Sequence, residues 1–198
     1  MQIARLLALA PLLAALPACS SAGAPGHLTA QIAEDAGVPS PPEGIAPQPY
    51  TAASIRASHP VGTFTTYRIT SAGAPPMEQR TDWVESTAEG CVMAASTPPG
   101  AGESQRASAL WWELRDHASF PADVTQVSRE TISVAAGTFD CTRYLVSVPE
   151  SDGGGTRSFW FDTRTGGSPV LFTQSAGGAE VFRMELLAMN RAPIAPAD

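Results

Sequence analysis

From Val61 onward apolar residues recur at every second position, in short runs separated by glycine- and proline-rich breaks. Val61, Thr63, Thr65, Tyr67 and Ile69 share one parity, and Phe182, Met184, Leu186 and Ala188 share another near the far end. A period of two sends side chains alternately to the two faces of a strand, so this stretch must bury a face of a sheet. Further strands are expected at Gln79–Ser86, Cys91–Ala95, Val124–Val134, Thr138–Val148, Thr156–Asp162 and Val170–Gln174. Ala136-Gly137, Ser151-Asp152-Gly153-Gly154-Gly155 and Gly177-Gly178 read as turns between them. Such short connections favour antiparallel pairing.

One segment breaks the pattern. Leu110, Trp111, Leu114 and Ala118 recur at helical spacing, with Ser108 as the expected N-cap and Pro121 as the stop. The expected fold is therefore mainly β with one inserted helix, a curved antiparallel sheet of eight or nine strands. A half-barrel cupping the short helix suits that strand count, with a closed barrel or a sandwich as alternatives.

Upstream the chain changes character. Arg5 precedes roughly thirteen mostly apolar residues, Leu6 to Ala18, a length that suits a secretory signal better than a membrane span. Residues 19–60 hold seven of the eighteen prolines, including Pro39, Pro41, Pro42, Pro47 and Pro49. That composition reads as a partly extended tether. Within it Leu28 to Gly37 has a helical pattern, with Leu28, Ile32 and Ala36 on one side, too short to persist alone in water. His27 and His59 are expected to be solvated. The resulting division is 1–18 signal, 19–60 tether and 61–198 folded domain.

The net charge of −7 opposes a nucleic-acid partner, whose phosphates demand a basic footprint. It equally opposes a polybasic grip on lipid head groups.

Leu16-Pro17-Ala18-Cys19 resembles the lipobox of bacterial lipoproteins. The resemblance implies acylation of Cys19, cleavage before it, and a partnership with a membrane through that lipid. Ser20, rather than an aspartate, then implies the outer membrane, facing the periplasm. A conventional signal peptide cut near Ala22 is the alternative. Further on, Glu130 to Cys141, Tyr144, Phe159-Trp160-Phe161, Pro169-Val170-Leu171-Phe172 and Glu185-Leu186 follow the order found in envelope proteins similar to the LolA/LolB and LppX carriers. That resemblance implies an antiparallel half-barrel with helices against it and an apolar pocket between.

With Cys19 used for lipid, Cys91 and Cys141 remain, and an exported chain is expected to pair them. A disulfide closing a loop of that size would contribute roughly 4 kcal/mol in the chain-entropy model. His117 beside Asp116 is the one candidate for serine-type hydrolysis, without the G-x-S-x-G elbow such chemistry often uses. The histidines and cysteines lack metal-ligand spacing, and the triple glycine lacks the lysine and helix of a phosphate loop, so neither metal nor cofactor is expected. Trp83, Trp111, Trp112, Phe159, Trp160 and Phe161 form an aromatic excess that reads as ordinary core, as the lining of a cleft, with the four tryptophans as its candidate ligand contacts, or as a surface for another protein. The preferred reading is a non-catalytic, lipid-anchored envelope protein that binds a lipid or other apolar ligand between sheet and helix. The alternatives are a structural or assembly lipoprotein binding an envelope partner, and a periplasmic hydrolase using His117.

Overall fold

The computed structural model describes residues 39–100, 102 and 104–192. The signal stretch, Cys19, His27 and Leu28 to Gly37 lie outside the described residues. Nine strands form one open antiparallel sheet: β1 (Phe64–Ser71), β2 (Met77–Ser86), β3 (Gly90–Ser96), β4 (Gln105–Leu110), β5 (Thr125–Val134), β6 (Gly137–Ser147), β7 (Thr156–Asp162), β8 (Leu171–Ala176) and β9 (Ala179–Met189). Two short helices, α1 (Ala52–Ser58) and α2 (Trp111–Asp116), pack on it. The architecture is the expected half-barrel type.

The spatial order is β4-β3-β2-β1-β9-β8-β7-β6-β5. The chain zigzags outward from β1 to the β4 edge, crosses the sheet through α2, and zigzags back from the β5 edge. The first and last strands therefore meet in the middle, with Tyr67 opposite Leu186 and Ile69 opposite Met184. The sheet also coils. The β5–β6 turn folds back to β9, where the Ala136 N–H donates to the Leu186 carbonyl at 3.2 Å and the Ala135 N–H to a Glu185 carboxylate oxygen at 3.1 Å.

Two sequence expectations shift. The helix expected from Ser108 begins only at Trp111, because Gln105–Leu110 pairs with β3 as a ninth strand. That edge strand holds no β-branched residue and two alanines, so nothing local marked it. The N–H of Leu110 is instead capped by the Glu113 carboxylate at 2.8 Å. The second shift is larger: the stretch read as tether to residue 60 is folded from Ile45 onward. Ile45 bridges Pro121, the Ala46 N–H donates to the Phe120 carbonyl at 2.8 Å, and Thr51 caps α1 through the Ser54 N–H. Ala46, Tyr50, Ala52 and Ile55 are buried. Their apolar area offsets the cost of ordering a segment whose prolines suggested extension. His59, expected in solvent, is completely buried behind α1.

Candidate functional site

The register fixes which residues share a face. On the helix-bearing face lie Cys91, Met93, Trp83, Tyr67, Leu186, Phe159, Phe161 and Tyr144, linked by strand parity and by the pairs Met93–Trp83, Ile69–Met77, Tyr67–Leu186, Phe172–Met184, Phe159–Phe172 and Tyr144–Phe159. The other face carries Phe139, Cys141, Trp160 and Leu171.

Three of the four tryptophans singled out from sequence come together. Trp83 and Trp111 are buried and Trp112 is half-buried, in one cluster with Tyr50, Ile55, Phe120, Tyr144 and Phe161. The Trp111 indole N–H donates to the Thr87 carbonyl at 3.0 Å. The fourth, Trp160, is on the opposite face. Its indole donates to a Glu130 carboxylate oxygen at 2.8 Å, and the Arg143 guanidinium sits 5.0 Å from its ring centroid. These four do not line one cleft. The space between sheet and helices, where the ligand was expected, is filled by Trp111, Phe120, Tyr50 and Ile55.

The disulfide expectation is corrected. Cys91 and Cys141 are both free and buried. Cys91 is on β3 and Cys141 on β6, with β2, β1, β9, β8 and β7 between them, and they point to opposite faces. No rotamer bridges that separation. Burial raises both thiols, Cys91 to about 11 and Cys141 to about 12, the latter helped by the nearby charges of Asp162, Asp140 and Glu130. Neither is a thiolate at neutral pH.

His117 is exposed at the end of α2. Its neighbour Asp116 is engaged by the Arg115 guanidinium at 2.8 Å and the Gln48 amide at 3.3 Å, and the Ser119 hydroxyl accepts from Gln48 at 2.9 Å. The groups that could have made a triad are thus committed elsewhere. Among the described residues no cluster of three or more histidine, cysteine or acidic side chains could hold a metal ion, and no helix is long and apolar enough to cross a membrane.

A buried polar group that sequence reading missed joins α1 to the β7–β8 loop and the chain's end. The His59 Nδ1–H donates to the Ile55 carbonyl at 2.8 Å, and its ring rests on Trp83. Arg191 donates to the Gly166 and Ser168 carbonyls and to the Tyr67 hydroxyl at 2.9 Å. The Tyr50 hydroxyl donates to the Asp162 carbonyl, and the Ser58 hydroxyl accepts the Gly166 N–H at 2.8 Å. The His59, Arg191, Tyr67, Tyr50 and Ser58 side chains are all buried, so the group braces the fold.

The surface with chemistry to offer is an apolar row on the helix-bearing face. Val127, Tyr144, Phe159, Phe172, Met184, Ile69 and Met77 are paired in turn across β5, β6, β7, β8, β9, β1 and β2. Tyr144 and Ile69 are buried, whereas Phe159, Phe172, Met184 and Met77 are only half-buried. Phe172 stacks on Phe159 at 4.4 Å and 3°, and Phe182, one step off the row, meets Phe172 at 5.2 Å. Phe120 closes the β7 end of this strip at 4.6 Å from Phe159. Arg129 and Arg157 stand on the same face on either side of the row, exposed, and neither forms an ion pair among the described residues. Two outward-opening clefts lie elsewhere. One of about 300 Å³ is lined by Glu85, Glu89, Leu110 and Glu113, and another of about 590 Å³ by Val61, Arg80, Asp82 and Arg106.

No protein-family model matches the chain, and no curated protein matches it significantly. Among solved structures it is similar to a presumptive lipoprotein from Parabacteroides distasonis, at 11% identity and TM-score 0.43, over 69% of this chain and 99% of that one. It is also similar to a presumptive exported protein with a YmcC-like fold from Bacteroides fragilis, at 12% identity and TM-score 0.41, over 67% and 97%. MucB aligns at 14% identity and TM-score 0.48 over 73% of this chain, which spans 57% of MucB.

Proposed function

We propose that this chain is a non-catalytic envelope protein, tethered by lipid on Cys19, whose sheet binds the acyl chain of an anionic amphiphile along the row from Phe159 to Met77. The observation that supports this reading is the row itself. Seven consecutive strands place an apolar side chain in register, and four of the seven remain half-accessible. An accessible contiguous apolar surface on a water-soluble domain marks a binding site more often than chance exposure. From Phe159 to Met77 the row crosses four strand spacings, about 19 Å, enough for an extended acyl chain of about fifteen carbons. Arg129 and Arg157 flank it, which favours an anionic head group in a chain otherwise strongly acidic. Each methylene buried there contributes about 0.8 kcal/mol. The tether keeps the domain close to a lipid source, and the outer membrane's periplasmic face is the compartment the lipobox region implies.

Native mass spectrometry of the mature chain, exported without its acyl group and exposed to anionic phospholipid vesicles, tests the reading. A lipid-sized adduct on the wild-type protein that disappears in Phe172→Asp and weakens in Arg157→Glu supports it. A wild-type protein that stays free of adduct, or an adduct indifferent to both substitutions, overturns it. An assembly role with a protein partner then takes its place.

A further inference from the structure

We propose that the β5 edge is an interface at which a second copy of this chain adds its own β5 antiparallel to the first, joining the two sheets across a twofold axis. The proposal is independent of the lipid reading, since no residue of the row from Phe159 to Met77 enters the contact.

The first observation is the state of the edge. β5 lies last in the sheet, and among the described residues only β6 pairs with it. It is ten residues long, unbroken in register along its whole length, and free of proline and lysine. Its six central residues, Gln126 to Thr131, alternate between the two faces and are all exposed. Edges are ordinarily blunted by shortness, lysine, proline or a bulge. The opposite edge follows that rule, since β4 has six residues and runs straight into α2. β5 has none of these protections.

The second is which backbone groups the edge offers. Val134 faces Gly137 across the two-residue turn Ala135-Ala136, which makes that pair hydrogen-bonded. Bonded pairs then recur at every second residue, so Ile132, Glu130, Ser128 and Gln126 direct their N–H and C=O groups to β6. Thr125, Val127, Arg129 and Thr131 direct theirs outward. The Ser133–Thr138 hydroxyl contact at 2.9 Å and the Thr131–Asp140 hydrogen bond at 2.7 Å are the close side-chain pairs that fall at the non-bonded positions.

The third is self-complementarity, which selects the occupant. A twofold axis normal to the sheet joins like faces, so odd residues must oppose odd ones and even residues even ones. Registers centred on Arg129 or Glu130 place like charges directly opposite. Centred on Ser128, the register opposes Thr125 to Thr131, Gln126 to Glu130 and Val127 to Arg129, each of them twice. These are a hydroxyl pair, an amide with a carboxylate, and an apolar side chain beside an arginine stem. That register uses Thr125 to Thr131 alone and satisfies the outward groups of all four odd residues, in about eight backbone hydrogen bonds. It also covers Val127, an apolar side chain left 44% exposed. The helix-bearing faces of the two copies then look the same way.

The test uses the full mature chain carrying Cys19→Ser, hence unacylated, in the absence of lipid. Sedimentation equilibrium reads its mass, and mild oxidation followed by denaturing electrophoresis reads contact at Ser128→Cys. Across the twofold, Ser128 meets its copy as a non-bonded pair with Cα atoms about 4.5 Å apart, within the span of a disulfide. The native Cys91 and Cys141 are buried and do not compete. Wild type is expected to dimerise, with Ser128→Cys captured as a cross-linked pair and Ser133→Cys not. Val127→Pro deletes an outward N–H that β6 does not use, and should give a monomer with a native near-ultraviolet spectrum. A charge switch at exposed Gln126 gives a reading that does not depend on how the proline variant folds. Gln126→Lys, opposite Glu130 of the second copy, should tighten the dimer roughly three- to tenfold, and Gln126→Glu should weaken it by a similar factor. A wild type that stays monomeric at every concentration reached overturns the proposal and leaves the edge to an extended strand of another protein. A dimer indifferent to Val127→Pro and to both Gln126 variants, or one cross-linked at Ser133→Cys in place of Ser128→Cys, overturns it equally. The lipid reading is judged separately, since Phe172→Asp and Arg157→Glu lie on other strands.

Discussion

The imidazole of His59 lies against the indole of Trp83, ring centroids 4.1 Å apart and planes 31° from parallel. This contact locks the turn after α1 onto β2, and through Trp83 onto the cluster that fills the space beneath both helices. His59 is held neutral there. Burial first, and the charge of Arg191 second, push its pKa down to about 3.

A pH dependence follows. Unfolded, the histidine titrates near its ordinary value of about 6.5. Between that value and about 3 the unfolded chain takes up a proton that the folded chain refuses. The stability His59 contributes is therefore complete above pH 6.5 and falls by up to about 1.4 kcal/mol per pH unit as pH drops through that window. Urea unfolding of wild type and His59→Phe checks it. Wild type should exceed the variant most at neutral pH, with the gap narrowing towards pH 4. A gap that does not change with pH would refute the assignment.

Gly167 faces the same ring. Its φ is +109°, and a Cβ there would collide with His59 Cε1. Gly167→Ala should cost about 3 kcal/mol, from left-handed strain and overpacking together. The loss should show as a lower urea midpoint with an altered near-ultraviolet signal from Trp83. Gly177→Ala, where φ is +58° and nothing lies within 4 Å, should cost less.

The two cysteines should behave as inert buried thiols. Protein isolated from an oxidising compartment should show both Cys91 and Cys141 free when denatured and titrated with a thiol reagent. Native protein should react slowly, because raised pKa values and burial both suppress the thiolate. Reducing agent should leave the thermal midpoint unchanged. Recovery of a Cys91–Cys141 cross-linked peptide would contradict the sheet order.

Trp111 and Phe172 should separate stability from binding. Trp111 is buried and anchored through its indole to Thr87, so Trp111→Ala should cost about 3–5 kcal/mol. Phe172 is half-buried, and Phe172→Asp should cost roughly 1–2 kcal/mol while removing lipid binding. Thermal unfolding measured beside vesicle binding distinguishes the two. Equal losses of stability in both variants would place Phe172 in the core.

Much of the fold is legible locally. Thr65, Tyr67 and Ile69 do share a buried face, and Phe182, Met184 and Leu186 share a half-buried to buried one, while the bulge opposite Thr66 and Tyr67 turns Ala188, expected with them, to the other face. The turns at Gly137, Gly153 to Gly155 and Gly177-Gly178 fall where glycine reaches positive φ without a Cβ penalty. His59 was not legible. A histidine between serine and proline in a proline-rich stretch carries no local sign of burial, and its environment comes from Trp83 and Gly167, far along the chain.

By itself the sequence determined eight of the nine strands, most of their parity and the inserted helix, because each is written in residues within a few positions of one another. Tertiary structure alone decided that β1 pairs with β9, that Cys91 and Cys141 face opposite ways, and that seven separate apolar residues align into one row. Alternation fixes which residues of a strand share a face, but not which strand lies beside it or in what register. Those choices rest on hydrogen bonds and packing between segments more than a hundred residues apart, such as Ile69 with Met184, and no local pattern encodes them.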